Sequence, residues 1–246
     1  MKIEGLHSEV AQQLERKADA EVAKMAEYYH KTSGHLAYGV RTSELREMIK
    51  EYCSIFKQLS LKEKLELAKM FFRSGIDEQC SFGNAILEHG VKEMRPADFR
   101  LLDKIAEYLN NWATTDGLCI GTLQPLLLAY PKEILSLLRR WNKSENLWKR
   151  RASVVAFTRK IGSSGKFTDE ALGLCNNLLW DEKDMVRKGV GWALKDVMRG
   201  DKRRVLDYVK SLRRKGVSSV ITLYAIRALK GKERDEILAI EQGRGH

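Results

Sequence analysis

Proline is scarce in this 246-residue chain, which holds only Pro96, Pro125 and Pro131. No long Gly/Ser/Pro-rich stretch divides it either, so one continuous domain over residues 1–246 is expected instead of two tethered ones. Cysteine is nearly as rare. Cys53, Cys80, Cys119 and Cys175 stand far apart without a CxxC pair, and none of His7, His30, His35, His89 and His246 falls beside them at ligand spacing. A disulfide framework and a structural zinc site are thereby disfavoured, and free buried thiols in a reducing compartment are expected. No apolar run approaches membrane-spanning length, and the opening MKIEGLHSEVAQQLERKAD is too charged for a signal peptide. A cytoplasmic protein with no membrane association is the expectation.

What is present points elsewhere. Hydrophobic residues make up 43% of the chain, enough for a packed core and against disorder. The formal charge is +11, and its distribution matters more than its size. Residues 139–246 carry 26 Lys+Arg against 13 Asp+Glu, whereas the first 138 carry 18 against 20. Charge concentrated in one half suggests a polyanionic partner, because cations gain by displacing the counterions condensed on phosphates. A merely solvated, solubilising surface is the alternative.

Hydrophobic spacing is helical nearly throughout. In Leu61–Phe72, for example, Leu61, Leu65, Leu67, Ala68, Phe71 and Phe72 form one stripe with Lys and Glu opposite. Similar runs cover roughly 8–30, 43–58, 80–90, 97–109, 132–141, 146–160, 168–179, 184–199, 202–213, 217–230 and 233–241. Thr42, Asp184 and Ser218 mark starts, and Gly200 and Gly231 mark ends. Internal similarity then selects the architecture. Trp148–Ala156 (WKRRASVVA) aligns with Val186–Leu194 (VRKGVGWAL) at an offset of 38, and Val220–Leu229 follows as a looser third copy. An apolar–Arg/Lys pattern closing on Ala–Leu at this period is that of HEAT-type helix pairs. The fold class expected is all-α, an α-α superhelix of HEAT-like repeats with a concave basic groove.

Four residues fall into one geometry on such a fold. Trp112 and Asp116 lie four apart, on one helix face. Arg151 sits beside Lys149 and Arg150, and Trp192 falls on the equivalent helix of the next repeat, three positions on in phase. The four are expected to be partly exposed and to converge on the concave wall. A carboxylate there can stabilise the oxocarbenium-like charge that builds on a sugar as an N-glycosidic bond breaks. An indole face attracts a cationic base, and an Arg holds phosphate. Each residue also has a plainer reading: Trp112 and Trp192 as core aromatics, Asp116 as a helix cap or ion-pair partner, Lys149–Arg151 as a solvated face.

Read together, the motifs resemble the DNA alkylation repair proteins of the AlkD type, HEAT-like DNA glycosylases, over roughly residues 8–230. Met25–Tyr28 followed by Tyr38–Arg46 is similar to that family's Tyr-bearing helix and Gly–hydrophobic–x–Thr turn. Trp112-x-x-x-Asp116 matches its W-x-x-x-D helix, Glu145–Arg151 its E-N-x-W-x-R-R segment, and Val186–Leu194 its V-R-K-x-x-G-W-A-L helix. The resemblance implies Asp116 as catalytic carboxylate, Trp112 and Trp192 against the deoxyribose, Arg151 on phosphate and Tyr28 supporting from the N-terminal side. Arg41, Thr42, Lys149, Arg150, Arg187, Lys188 and Lys195 join them as candidate DNA contacts. The implied activity is monofunctional removal of N3- and N7-alkylated purines from double-stranded DNA, with the base left stacked, by a monomer needing no metal or other cofactor. The rival is a non-catalytic helical-repeat module binding nucleic acid or protein. Three departures from the family pattern stand out. Lys31–Ala37 lacks the aromatic and proline residues usual before the Gly turn, Arg41 replaces an uncharged polar residue, and Gly162–Lys166 reads as a longer inter-repeat loop.

Overall fold

The computed structural model describes residues 2–30 and 35–240, and Lys31–Gly34 of the departing stretch lies outside the described residues. Among the described residues there is no strand, only an isolated bridge between Leu36 and Ile76. The helices group into two compact units, Met1–Pro131 and Lys132–His246.

The first unit contains α1 (Ile3–Arg16), α2 (Ala20–His30), α3 (Thr42–Gln58), α4 (Leu61–Ser74), α5 (Asp77–Gly90), α6 (Phe99–Ile105), α7 (Trp112–Leu118) and α8 (Gln124–Ala129). The run expected over 8–30 is two helices. Asp19 interrupts it, because its carboxylate accepts from the N–H groups of Glu21 and Val22 while its own N–H donates to the Tyr38 carbonyl. An acid so placed caps a new helix and does not continue the old one. By contrast α4 starts as its sequence reads, with Ser60 and Glu63 forming a reciprocal capping box. The core is an aromatic cluster: Phe82 of α5 meets Tyr52, Phe56 and Phe71 at ring distances of 5.7, 6.3 and 5.8 Å. Gly83 lets α5 lie close against α4, since a Cβ there would lie 2.7 Å from the Phe72 ring.

The second unit contains α9 (Pro131–Trp141), α10 (Leu147–Val155), α11 (Arg159–Ser163), α12 (Thr168–Asn177), α13 (Asp184–Val197), α14 (Lys202–Arg214), α15 (Ser219–Ala225) and α16 (Lys232–Leu238). The 38-residue repeat is visible in its packing. The repeat-equivalent helices α10, α13 and α15 stack in order, and glycines set their approach. A Cβ at Gly189 would lie 3.3 Å from Arg151 Cγ of α10, and one at Gly191 would lie 2.7 Å from Tyr224 Cβ of α15. The expected 146–160 run breaks after Val155, where the Thr158 hydroxyl bonds back to the Val155 carbonyl and Arg159 takes a left-handed φ of 53°. Gly162–Lys166 is no simple loop. Gly162 lies within α11 and is pressed on the Asp196–Val197 backbone, and Gly165 touches Gly200. Gly231, at φ 58°, opens α16 instead of closing α15. The last expected run, 233–241, corresponds to α16, and its residue 241 lies outside the described residues.

Candidate functional site

In the first unit the corner Gly75–Ile76–Asp77–Glu78, between α4 and α5, organises the candidate residues. The buried Glu78 carboxylate accepts from three successive backbone N–H groups, those of Tyr38 (2.9 Å), Gly39 (2.7 Å) and Val40 (3.0 Å). Gly39 is obligatory in that turn: its φ is 87°, and a Cβ would lie 2.0 Å from the Asp19 carbonyl oxygen. The turn delivers the chain to Arg41 and Thr42, both exposed at the start of α3. The other arm of the corner holds α7. Asn110 Nδ2 donates to the Gly75 carbonyl (2.7 Å), while Asn111 Nδ2 and the Thr114 hydroxyl donate to Asp77 Oδ1 (3.2 and 3.3 Å). Asn111 also caps α7 by accepting from the Thr114 N–H at 2.9 Å. Because Asn111 holds that position, Asp116 is not the cap of this helix.

Asp116 lies one turn into α7 and is 7% exposed, while Trp112 on the same face is half-buried. The Tyr29 ring meets the Trp112 indole at 5.7 Å with the planes tilted by 58°. Tyr28, named by the resemblance, is 83% exposed, and Tyr29 itself is 68% exposed despite this contact. Neighbouring positions on a helix point about 100° apart, so only one of the two tyrosines can face α7. Beyond Leu118 the helix widens into a π turn, Cys119–Leu123, before α8. Pro125 explains the position of this widening, since it lacks the N–H an α-helix would donate to the fourth carbonyl back.

In the second unit Asn146 caps α10 by accepting from the Trp148 N–H at 2.8 Å. Of the basic run that follows, Lys149 is 4% exposed and its ammonium stands 5.7 Å from the Trp141 ring centre. Arg150 grips Asp181 with two nitrogens (2.6 and 3.2 Å) and donates to the Ser144 and Glu145 carbonyls. Arg151, 5% exposed, lies over Gly189 and donates to the Met185 carbonyl at 2.6 Å. The solvated-face reading of 149–151 is therefore wrong, and Lys149 and Arg150 are engaged by the fold itself. Asp116 and Arg151 are also more enclosed than the partial exposure expected of them. Arg187 pairs with Asp184 at 2.5 Å and is half-buried, as is Lys188. Trp192 is half-buried between Arg159 and Lys195, whose cations lie 5.9 and 6.0 Å from its ring centre. Neither Trp112 nor Trp192 is a sealed core residue. Trp141 fills that role.

Sequence reasoning missed Tyr29, Asp77, Glu78, Asn111 and Arg159. Asn111, directly before Trp112, carried a legible capping signal. Asp77 and Glu78 read as ordinary acids opening a helix, and their partners lie more than thirty residues away. Among the described residues no group of three or more His, Cys, Asp and Glu side chains is placed to hold a metal ion, and no helix is long and apolar enough to cross a membrane.

The sequence profile of the family described as DNA alkylation repair enzyme matches residues 10–229. The chain belongs to the DNA alkylation repair enzyme family. Membership supports a role in DNA alkylation repair. A solved structure described as a predicted DNA alkylation repair enzyme from Enterococcus faecalis superposes with a TM-score of 0.73. It is 13% identical, and the match covers 87% of this chain and 97% of that one, so the likeness is one of fold. No curated protein matches this chain.

Proposed function

We propose that this member of the DNA alkylation repair enzyme family is a monofunctional glycosylase, hydrolysing the N-glycosidic bond of N3- and N7-alkylated purines in double-stranded DNA. The observation that carries the reading is Asp116, an enclosed carboxylate one turn along α7 from a half-buried indole that a second aromatic ring supports. The chemistry asks for little more. An alkylated purine is already cationic, so the C1′–N bond breaks with its electron pair passing to the base, which leaves neutral. No general acid is needed for that departure. Positive charge builds on the deoxyribose, and Asp116 opposes it where low polarity makes a fixed charge count for more than in water. Water then adds at C1′ and gives up a proton.

Trp112 and Trp192 serve as faces for the sugar and the cationic base, with Tyr29 bracing Trp112. Arg151 is assigned to the lesion-bearing strand's phosphate. Arg187, Lys188 and Lys195 are assigned to its neighbours, and Arg41 and Thr42 to contacts from the first unit. Lys149 and Arg150, given their partners, act by holding α10 and its cap. No lysine nucleophile enters the scheme, so strand cleavage is not part of it. The base remains stacked, the protein acts as a monomer, and no cofactor is required. The direct test is release of 7-methylguanine from a methylated duplex. The reading expects release well above the spontaneous rate with intact abasic strands as product. Release at only the spontaneous rate would instead support a non-catalytic binding module.

A further inference from the structure

The second unit carries an alternating file of cations and rings that extends past Trp192. Arg159, from α11, faces Trp192 at 5.9 Å. Lys195, one turn along α13, stands 6.0 Å from the Trp192 ring and 5.8 Å from that of Tyr224 on α15. Arg227, just past α15, faces Tyr224 at 5.8 Å. Both rings are half-buried, and both end cations are exposed. Three helices and the turn after α15 therefore contribute to one file of five residues.

Two structural devices hold it in place. Tyr224 reaches the file only because Gly191 lets α15 approach α13, where a Cβ would meet Tyr224 Cβ at 2.7 Å and the Ile221 carbonyl at 3.0 Å. Arg159 is held in a left-handed conformation that L side chains rarely adopt, at a cost of about 1–2 kcal/mol. Its N–H donates to Asp196 Oδ2 at 2.7 Å, and the same buried carboxylate lies 3.3 Å from Lys195 Nζ and 3.5 Å from Arg199. Packing alone would be met more easily by glycine at position 159. An arginine held there against strain, with its cation exposed over an indole, suits a ligand better than it suits a core.

We infer that Arg159, Lys195, Tyr224 and Arg227 form, together with Trp192 at the lesion, a strip that binds the sugar–phosphate backbone of one DNA strand from the lesion outward. The exposed guanidiniums of Arg159 and Arg227 neutralise phosphates at its ends. Lys195 stands between the two rings and keeps the phosphate assigned to it above, and the half-open face of Tyr224 lies against the deoxyribose next to the one on Trp192. No base edge is read, so binding is independent of sequence. The inference rests on the function proposed above only in taking DNA as the ligand. It adds Arg159, Tyr224 and Arg227 to the binding residues.

The test is fluorescence anisotropy of an undamaged labelled duplex titrated with the full chain over a salt series. Arg159→Gln and Arg227→Gln are each expected to lower the magnitude of the slope of log affinity against log salt by about 0.9, and Arg227→Lys to restore it. Tyr224→Ala is expected to weaken binding about tenfold with the slope unchanged. Arg227 is exposed on a turn, so its variants keep the fold, which circular dichroism verifies. Wild-type slopes in both Arg→Gln variants would overturn the strip while leaving the proposed glycosylase intact, whereas a wild-type protein that binds no duplex would overturn both.

Discussion

The two units organise their candidate residues by opposite means. Met1–Pro131 has 17 Lys+Arg against 19 Asp+Glu and fixes its key side chains with carboxylates and amides. Glu78 gathers three backbone N–H groups, and Asp77 gathers Asn111 and Thr114 at the start of α7, the helix that carries Asp116. Lys132–His246 has 27 Lys+Arg against 14 Asp+Glu and works with cations against rings and carbonyls. A surface that grips phosphate needs those same cations exposed. The division of charge along the chain is thus a division of labour in the proposed reaction.

Several substitutions sharpen this contrast. Glu78→Ala should be the most damaging to the first unit, because it strands three N–H groups, two of them in buried bonds. A loss of about 3 kcal/mol or more is expected from urea unfolding, with Glu78→Gln milder. In the second unit Gly191→Ala should cost about 1–3 kcal/mol by pushing α15 from α13, and it should weaken DNA binding as Tyr224 moves. Asn111→Ala removes the cap of α7 and its link to Asp77. Unfolding should register about 1–2 kcal/mol, accompanied by slower base release at saturating enzyme.

The remaining predictions concern the thiols. Cys53 is half-buried with its sulfur 3.2 Å from His89 Nε2, whereas Cys80, Cys119 and Cys175 are fully buried. Burial, together with nearby Asp77 and Glu78, pushes Cys80 from an ordinary 9.0 up to about 12. Iodoacetamide followed by mass spectrometry should modify Cys53 first in the native protein; equal labelling of all four would contradict the burial described. Because the folded state holds the Cys80 proton more tightly than the unfolded state, that contribution to stability is complete below pH 9 and is lost between about pH 9 and 12. Melting temperature should accordingly fall through that range.

Much of this architecture was legible in the sequence. Period-3.6 spacing and the 38-residue repeat gave the helices and the stacking of α10 on α13, because both depend on local pattern and on glycines beside recurrent apolar positions. Trp112 and Trp192 stayed open between core and groove in the sequence, and only their packing shows both half-buried. What was not legible depends on partners distant in sequence. Lys149 and Arg150 looked like free charge until Trp141 and Asp181 closed on them. Tyr29 and Tyr28 are separated only by helical phase, which no motif fixes to one residue. Arg159 gave no sign of its backbone conformation, since the Asp196 carboxylate that holds it lies 37 positions away.

The central claim is that Asp116 supplies chemistry and the basic unit supplies grip. It is tested most directly by measuring, for Asp116→Asn, both single-turnover release of 7-methylguanine at saturating enzyme and affinity for the same duplex. The account predicts a rate lowered by about 100-fold or more, with affinity close to wild type. Release at the wild-type rate, or a rate defect that vanishes at saturation because only affinity was lost, would contradict it.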